Sequence, residues 1–254
     1  MTDTFFSYTV LAMVQGLCEF LPISSSAHLV LMSMWLEMHE HSLTVDVALH
    51  FGSLIAIILY YRNELIQLRG NPHLLRMLGL AFLPTLITAP FIAESMELFG
   101  RNTISIAVML IVFAVVLYLA TRRHGVSGLE SITVPMALSI GAAQLLAFFP
   151  GVSRSGVTIS ASLFWGIKKE SAIYFSFLLA IPTIAGVTAY QFFQVIRKGE
   201  QLDIPLIGYT VVVSALVSYF ALHALVTIVR RIGFLPFVIY RILLGAILLT
   251  YATI

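Results

Sequence analysis

The sequence predicts an all-α, polytopic membrane protein, with six transmembrane helices and two re-entrant helical hairpins in an inverted-topology repeat. Three observations carry this reading. Of 254 residues, 59% are hydrophobic and only 10% are charged, whereas soluble domains carry about 25% charged residues. Apolar stretches long enough to span a bilayer recur six times. Two further apolar regions are interrupted near their middles by Pro, Gly, Ser and a charge, and these two resemble each other. The chain 1–254 therefore reads as a single integral membrane domain, with repeat one over about 1–120 and repeat two over about 130–254. No segment alternates as a barrel strand does. The N-terminus lacks a basic n-region and a small-residue cleavage site, so no removed leader is expected. The single cysteine, Cys18, rules out an internal disulfide framework. No basic patch interleaved with aromatics suggests nucleic acid.

The elements follow in order. Residues 5–36 form the first broken hairpin, centred on 15-QGLCEFLPISSSAHLVL-31. Spans over 45–61, 74–92 and 102–121 come next. Residues 133–166 form the second broken hairpin, centred on 150-PGVSRSGVT-158, and spans over 171–195, 208–229 and 236–253 complete the chain. At 1.5 Å per residue such lengths match a hydrocarbon core of about 30 Å. With residues 62–73 cytoplasmic and each span crossing once, Arg62, Arg69, Arg76, Arg122, Arg123, Lys168, Lys169, Arg230 and Arg231 lie inside. Only Arg101, Arg197 and Lys198 lie outside, accompanied by Glu94, Glu97, Glu200 and Asp203. That asymmetry follows the positive-inside rule. It puts both termini outside, with the first hairpin entering from outside and the second from inside.

An internal repeat supports the same map. The stretch 46-DVALHFGSLIAI-57 aligns with 170-ESAIYFSFLLAI-181, and 20-FLPISSS-26 aligns with 148-FFPGVSRS-155. On the charge map the two copies have opposite orientation. Inverted repeats with broken helices are shared with many transporters, so a transporter or flippase for a phosphorylated lipid carrier or another anion is the alternative function.

Ionisable groups at membrane depth cost about 2.5–3.5 kcal/mol on insertion scales and usually line a functional cavity. If the repeats face each other, Glu19, Ser24, Ser25, Ser26 and His28 meet Ser153, Arg154, Ser155 and Thr158. The second loop has the parts of an anion cradle. Gly151 and Gly156 allow tight turning and close approach, the hydroxyls donate, and a helix N-terminus favours phosphate. Arg154 adds a planar fork suited to phosphate oxygens. The first loop reads as the reactive half. A serine needs a base to become a nucleophile, and His28 is one helical turn from both Ser24 and Ser25. Glu19 can bind a divalent cation bridging diphosphate oxygens, and Gln15, four residues earlier, adds a carbonyl oxygen on the same face. Each feature also has a plainer reading. The serine run can be helix packing, Glu19 can be a buried protonated carboxyl, and Arg154 can simply pair with Glu19. Cys18 reads as an apolar filler, His50 (equivalent to Tyr174) as structural, Trp165 to Lys169 as an interfacial anchor, and Tyr240 with Arg241 as side chains snorkelling to the interface.

The pair QGLCEFLPISSSAH and PGVSRSGVT resembles the two signature motifs of integral-membrane undecaprenyl-diphosphatases of the bacitracin-resistance type. The resemblance continues through VDVALHFGSLIAI, SFLLAIPTIAG and FLPFVIYR, so it covers most of the chain. It implies hydrolysis of undecaprenyl diphosphate to the monophosphate carrier of cell-wall synthesis, and bacitracin resistance. It also implies a bacterial inner-membrane location, and on the charge map the first loop opens outward, so the active site is expected to face the periplasm or outside. Carried over, Glu19 implies metal binding and catalysis with a divalent cation (Mg2+ or Ca2+). Ser24, Ser25 and His28 match the serine and histidine positions, Ser25 being the proposed nucleophile in some schemes. Ser153, Arg154 and Thr158 match the phosphate-binding motif, and Asp46 a position often held by a carboxylate. Either Ser25 attacks with His28 as base, or His28 or Glu19 activates water. The implied partners are the polyprenyl diphosphate and membrane lipids, and a homodimer is compatible with the sequence. Three positions depart from the pattern: Gln15 stands where some members have Glu, Cys18 replaces Thr, and Ala27 replaces Gly. Gln15 leaves Glu19 as the only carboxylate of the first loop.

Overall fold

The computed structural model of the chain describes residues 2–36, 43–99, 102–200 and 202–252. Eleven α-helices account for most of these residues: α1 Thr2–Cys18, α2 Ser25–Trp35, α3 Leu43–Tyr60, α4 Arg62–Leu68, α5 Pro72–Phe99, α6 Thr103–Thr121, α7 Val134–Gln144, α8 Arg154–Phe164, α9 Lys169–Lys198, α10 Ile204–Ile232 and α11 Leu235–Ala252. Among the described residues no strand forms, only an isolated bridge between Ser127 and Ile167. Six helices are long and apolar enough to cross a membrane: α3, the Pro72–Phe91 part of α5, α6, α9, α10 and α11. They coincide with the six stretches expected from the sequence. Unpartnered faces carry apolar side chains at helical spacing, such as Val108, Val112, Val115 and Leu119 on α6 and Val212, Leu216 and Phe220 on α10. In a bilayer these contact acyl chains, which are as apolar as the side chains.

The two broken regions break for the same local reason. Pro22 and Pro150 supply no backbone N–H, and α1 and the 3-10 turn Leu145–Phe148 after α7 end before them. The chain then restarts a helix from a serine of positive φ: Ser24 at φ 75° and Ser153 at φ 72°, the only such non-glycine residues among those described. Each serine Oγ accepts from the amide three residues on, Ser24 from Ala27 N and Ser153 from Gly156 N. Each also lies beside the hydroxyl two residues on, at 3.2 Å to Ser26 and 3.3 Å to Ser155. Holding a non-glycine residue at positive φ costs on the order of 1–3 kcal/mol, so the cap bonds and surrounding packing must over-determine it. The caps fix the register of the two loops: Ser24 answers to Ser153, Ser25 to Arg154 and Ser26 to Ser155.

Packing follows a swapped pattern. The short helix α1 lies against α10 of the second half, and α7 lies against α5 of the first. Likewise α3 packs on α10 and α9 on α5, while α3 meets α9 and α6 meets α11. Small residues allow the closest of these approaches. A Cβ on Gly52 would fall 2.6 Å from Val211 O, and one on Gly141 would collide with Ala81 O. Across the α3–α10 contact, Ser214 Oγ donates to Leu49 O at 2.7 Å and Ser53 Oγ meets Ser218 Oγ at 3.0 Å. This packing brings the two broken segments together inside the bundle.

Candidate active site

The two loops meet through backbone as well as side chains. Gly151 N donates to Ser24 Oγ at 3.0 Å, and Ser155 Oγ donates to Leu21 O at 3.2 Å. Helices α2 and α8 both begin at this junction, so two sets of unpaired amide groups and two positive dipole ends converge there. Gly151 adopts φ +99°, and a Cβ there would come 2.7 Å from Ile106 O. Only glycine gives this turn without strain or clash.

Glu19 is the hub. It is buried, and Arg154 Nη2 donates to its Oε1 at 2.9 Å. Its Oε2 accepts from Ser25 Oγ at 2.7 Å and from Gln15 Nε2 at 3.0 Å. The pairing of Glu19 with Arg154, one of the plainer sequence readings, is therefore real, and it leaves capacity unused. Arg154 Nη1 and Gln15 Oε1 are buried without a hydrogen-bond partner. A buried, unmade hydrogen bond costs about 1–3 kcal/mol, more for a charged group. One unsatisfied donor and one unsatisfied acceptor beside a nucleophile candidate suit a ligand bearing both phosphate oxygens and a cation. The Arg154 guanidinium is also braced over the Phe20 ring, 5.9 Å from its centroid.

His28 stands elsewhere than the spacing suggested. Its Nδ1 donates to Ser24 O at 2.7 Å, and its Nε2 lies 2.7 Å from Tyr240 OH, with the two rings stacked. Because α2 starts at Ser25, the residue four before His28 presents a helix carbonyl, which can only accept. The Ser24 hydroxyl is already committed to Ala27 N, Gly151 N and Ser26. Glu19, not His28, therefore holds the Ser25 hydroxyl. Ser26 is exposed beside the cap. Ser153 caps α8, and Gly156 lies in its buried first turn. Thr158 faces away from the mouth, donating to Arg154 O at 2.9 Å and meeting Ser176 Oγ of α9 at 2.6 Å. It fixes α8 rather than lining the opening. His50 donates from Nδ1 to Asp46 O at 2.9 Å, with its ring in electrostatic reach of Glu19.

Arg241 corrects the sequence reading most sharply. It does not snorkel; it is fully buried. Its guanidinium donates to Pro22 O, Gly151 O, Val152 O and Leu110 O. The available signal was an arginine within an apolar span, in a chain whose irregular loops must find donors for their carbonyls.

Among the described residues no cluster of three or more His, Cys, Asp or Glu could by itself hold a metal. Glu19 with Gln15 Oε1 nonetheless fits a hard cation that takes its remaining ligands from phosphate and water, the usual habit of Mg2+.

Comparison with known proteins gives a consistent picture. A family model described as Bacitracin resistance protein BacA matches residues 8–247. The chain is 40% identical over 259 residues to an Undecaprenyl-diphosphatase of Alcanivorax borkumensis, covering 96% of this chain and 97% of that protein. It is 39% identical over 253 residues to that of Teredinibacter turnerae, covering 94% and 96%. It is 36% identical over 262 residues to that of Hahella chejuensis, covering 98% of both.

Proposed function

The chain belongs to the bacitracin resistance protein BacA family, and on that premise we propose that it is a membrane phosphatase converting undecaprenyl diphosphate to undecaprenyl phosphate and inorganic phosphate. The observation that carries the chemistry is the 2.7 Å bond from Ser25 Oγ to Glu19, beside the unpartnered Arg154 Nη1. The lipid tail lies along the apolar spans while the diphosphate enters between the loops. Arg154 and the N-termini of α2 and α8 hold phosphate oxygens where negative charge accumulates, and phosphoryl transfer asks mainly for such positioning and neutralisation.

Ser25 Oγ attacks the terminal phosphorus as its proton passes to Glu19 Oε2. An O–P bond forms, the bridging P–O bond breaks, and undecaprenyl phosphate departs. Water then cleaves the serine phosphate, releasing inorganic phosphate. In the alternative route Glu19 or His28 activates water directly. The Nδ1 bond to a carbonyl leaves Nε2 as the His28 atom that exchanges protons, with Tyr240 OH as its partner. Glu19 and Gln15 Oε1 would hold the divalent cation, Mg2+ or Ca2+, which when bound neutralises diphosphate oxygens.

The loop charges support an inner-membrane orientation in which the first loop opens to the periplasm. There the reaction recycles the carrier for peptidoglycan and other wall polymers and underlies bacitracin resistance. The matched serine caps and swapped packing support two re-entrant hairpins in an inverted repeat. That packing also suits a carrier or flippase, but the Ser25–Glu19 contact serves chemistry that a carrier does not need.

The test is phosphate release from undecaprenyl diphosphate in detergent, with and without EDTA, for wild type, Ser25→Ala, Glu19→Gln and Arg154→Ala. Cation-dependent release, lost in the folded variants, is expected. A folded wild type that releases no phosphate with any divalent cation overturns the enzyme; if it binds the diphosphate lipid tightly, the carrier reading takes its place.

A further inference from the structure

Arg241 touches no group to which the reaction has so far assigned a part, yet it contacts both halves of the site. From α11 its Nη1 reaches Pro22 O at 3.1 Å in the first loop, and its Nη2 reaches Gly151 O at 2.7 Å and Val152 O at 3.0 Å in the second. Its Nε reaches Leu110 O on α6 at 3.3 Å. Pro22, Gly151 and Val152 lie where the chain breaks away from helical hydrogen bonding, so their carbonyls need outside donors. The guanidinium fork supplies several in a fixed plane, which a lysine ammonium cannot. The group also sits under the first turn of α8: a Cβ on Gly156 would lie 3.1 Å from Nη1.

Charge makes the second half of the argument. No carboxylate pairs with Arg241 among the described residues, and Glu19 is already paired with Arg154. Two guanidinium groups and one carboxylate therefore leave one net positive charge beneath the loops. Full burial removes the solvent screening that would otherwise dissipate it. A buried charge without a counter-ion is costly in the empty protein, and a polyanion at the loop junction relieves that cost.

We propose that Arg241 is a positioning residue for the diphosphate. It clamps the two site loops together through their carbonyls, and it stands behind them as a fixed positive charge matched to the phosphates. This deepens the phosphatase reading and rests on it.

Two variants separate the two parts. Arg241→Lys keeps the charge and loses the fork: kcat should fall about tenfold or more, while competitive inhibition by inorganic diphosphate stays within about threefold of wild type. Arg241→Gln loses the charge: KM for the lipid substrate and the inhibition constant for inorganic diphosphate should both rise about tenfold. Monodisperse elution and thermal unfolding in detergent report the fold. The proposal is overturned if both variants fold and keep kcat, KM and diphosphate inhibition within twofold of wild type. It is equally overturned if kcat falls in both with diphosphate inhibition unchanged, or if neither variant folds, since Arg241 then serves the fold alone. Wild type in the same assay keeps the two readings apart. A wild type that binds inorganic diphosphate by calorimetry but releases no phosphate removes the phosphatase, while diphosphate binding by the variants still decides the part played by Arg241.

Discussion

The first and second site loops share a backbone and differ in the side chain each sets between its hydroxyls. Both turn on a serine near φ +70°, both cap a following eleven-residue helix with that serine, and both set a second hydroxyl beside the first. Between those two hydroxyls, however, the first loop carries Ser25 and the second Arg154. A helical turn earlier, the same register sets Gln15 against Gln144 and Glu19 against Phe148. Gln144 has a partner at each amide atom: its Nε2 donates to Thr85 Oγ1 at 2.7 Å, and its Oε1 accepts from Thr183 at 3.3 Å. Gln15 keeps a buried carbonyl oxygen without a donor. On the proposed mechanism, the first loop acts and the second holds. Gln15 Oε1 and Arg154 Nη1 stand unpartnered at the loop junction, whereas Gln144, the counterpart of Gln15, is tied to Thr85 and Thr183.

The largest test of that division gives the second loop the residue of the first. Arg154→Ser should lower kcat/KM at least a hundredfold, about 2.7 kcal/mol, with part of any stability loss coming from an unpaired Glu19. Phosphate-release kinetics beside a thermal melt check it; activity within tenfold of wild type would mean that the two positions are interchangeable. Next comes Gly151→Ala, which forces a Cβ toward Ile106 O at φ +99°. It should destabilise the protein by about 1–3 kcal/mol, read as a lowered unfolding temperature in detergent. The caps follow. Ser153→Ala should cost about 1 kcal/mol, and Ser24→Ala more, because Ser24 also accepts from Gly151 N; equal shifts in melting temperature would deny that the first cap holds the second loop. The smallest effect is that of Tyr240→Phe. It removes one hydrogen bond to His28, worth about 0.5–1.5 kcal/mol, and should alter the pH profile of kcat more than its maximum; an unchanged profile would leave His28 out of proton transfer.

What the sequence made legible was governed by local physics. The six spans could be placed because apolar length alone commits a segment to the bilayer. The two breaks were visible because Pro22, Pro150 and Gly151 fall among serines and a charge inside apolar stretches, whereas Pro84, Pro90 and Pro182 stand within helices that run on. That the loops meet, expected only if the repeats face each other, is seen in the Gly151–Ser24 bond. The partners of His28 and Arg241 were not legible. Tyr240 lies 212 positions from His28, and the acceptors of Arg241 are backbone carbonyls, which every residue has and no pattern marks. The contact of Thr158 was hidden as well: its place on α8 turns its hydroxyl to Ser176 of α9, a partner that the motif does not mark.

The interleaving of α1 with α10 has a consequence for how the protein is made. α1 leaves the ribosome roughly 190 residues before the start of its packing partner, on the order of 10–40 s at typical synthesis rates. For that interval a short helix leading to a carboxylate must wait in the membrane or at the insertion machinery with its long-range contacts unmade. Cys18, buried in the finished protein, is a natural clock for this wait. In nascent chains arrested before α10 its thiol should react with a membrane-permeant alkylating reagent, and that reactivity should vanish in the completed chain.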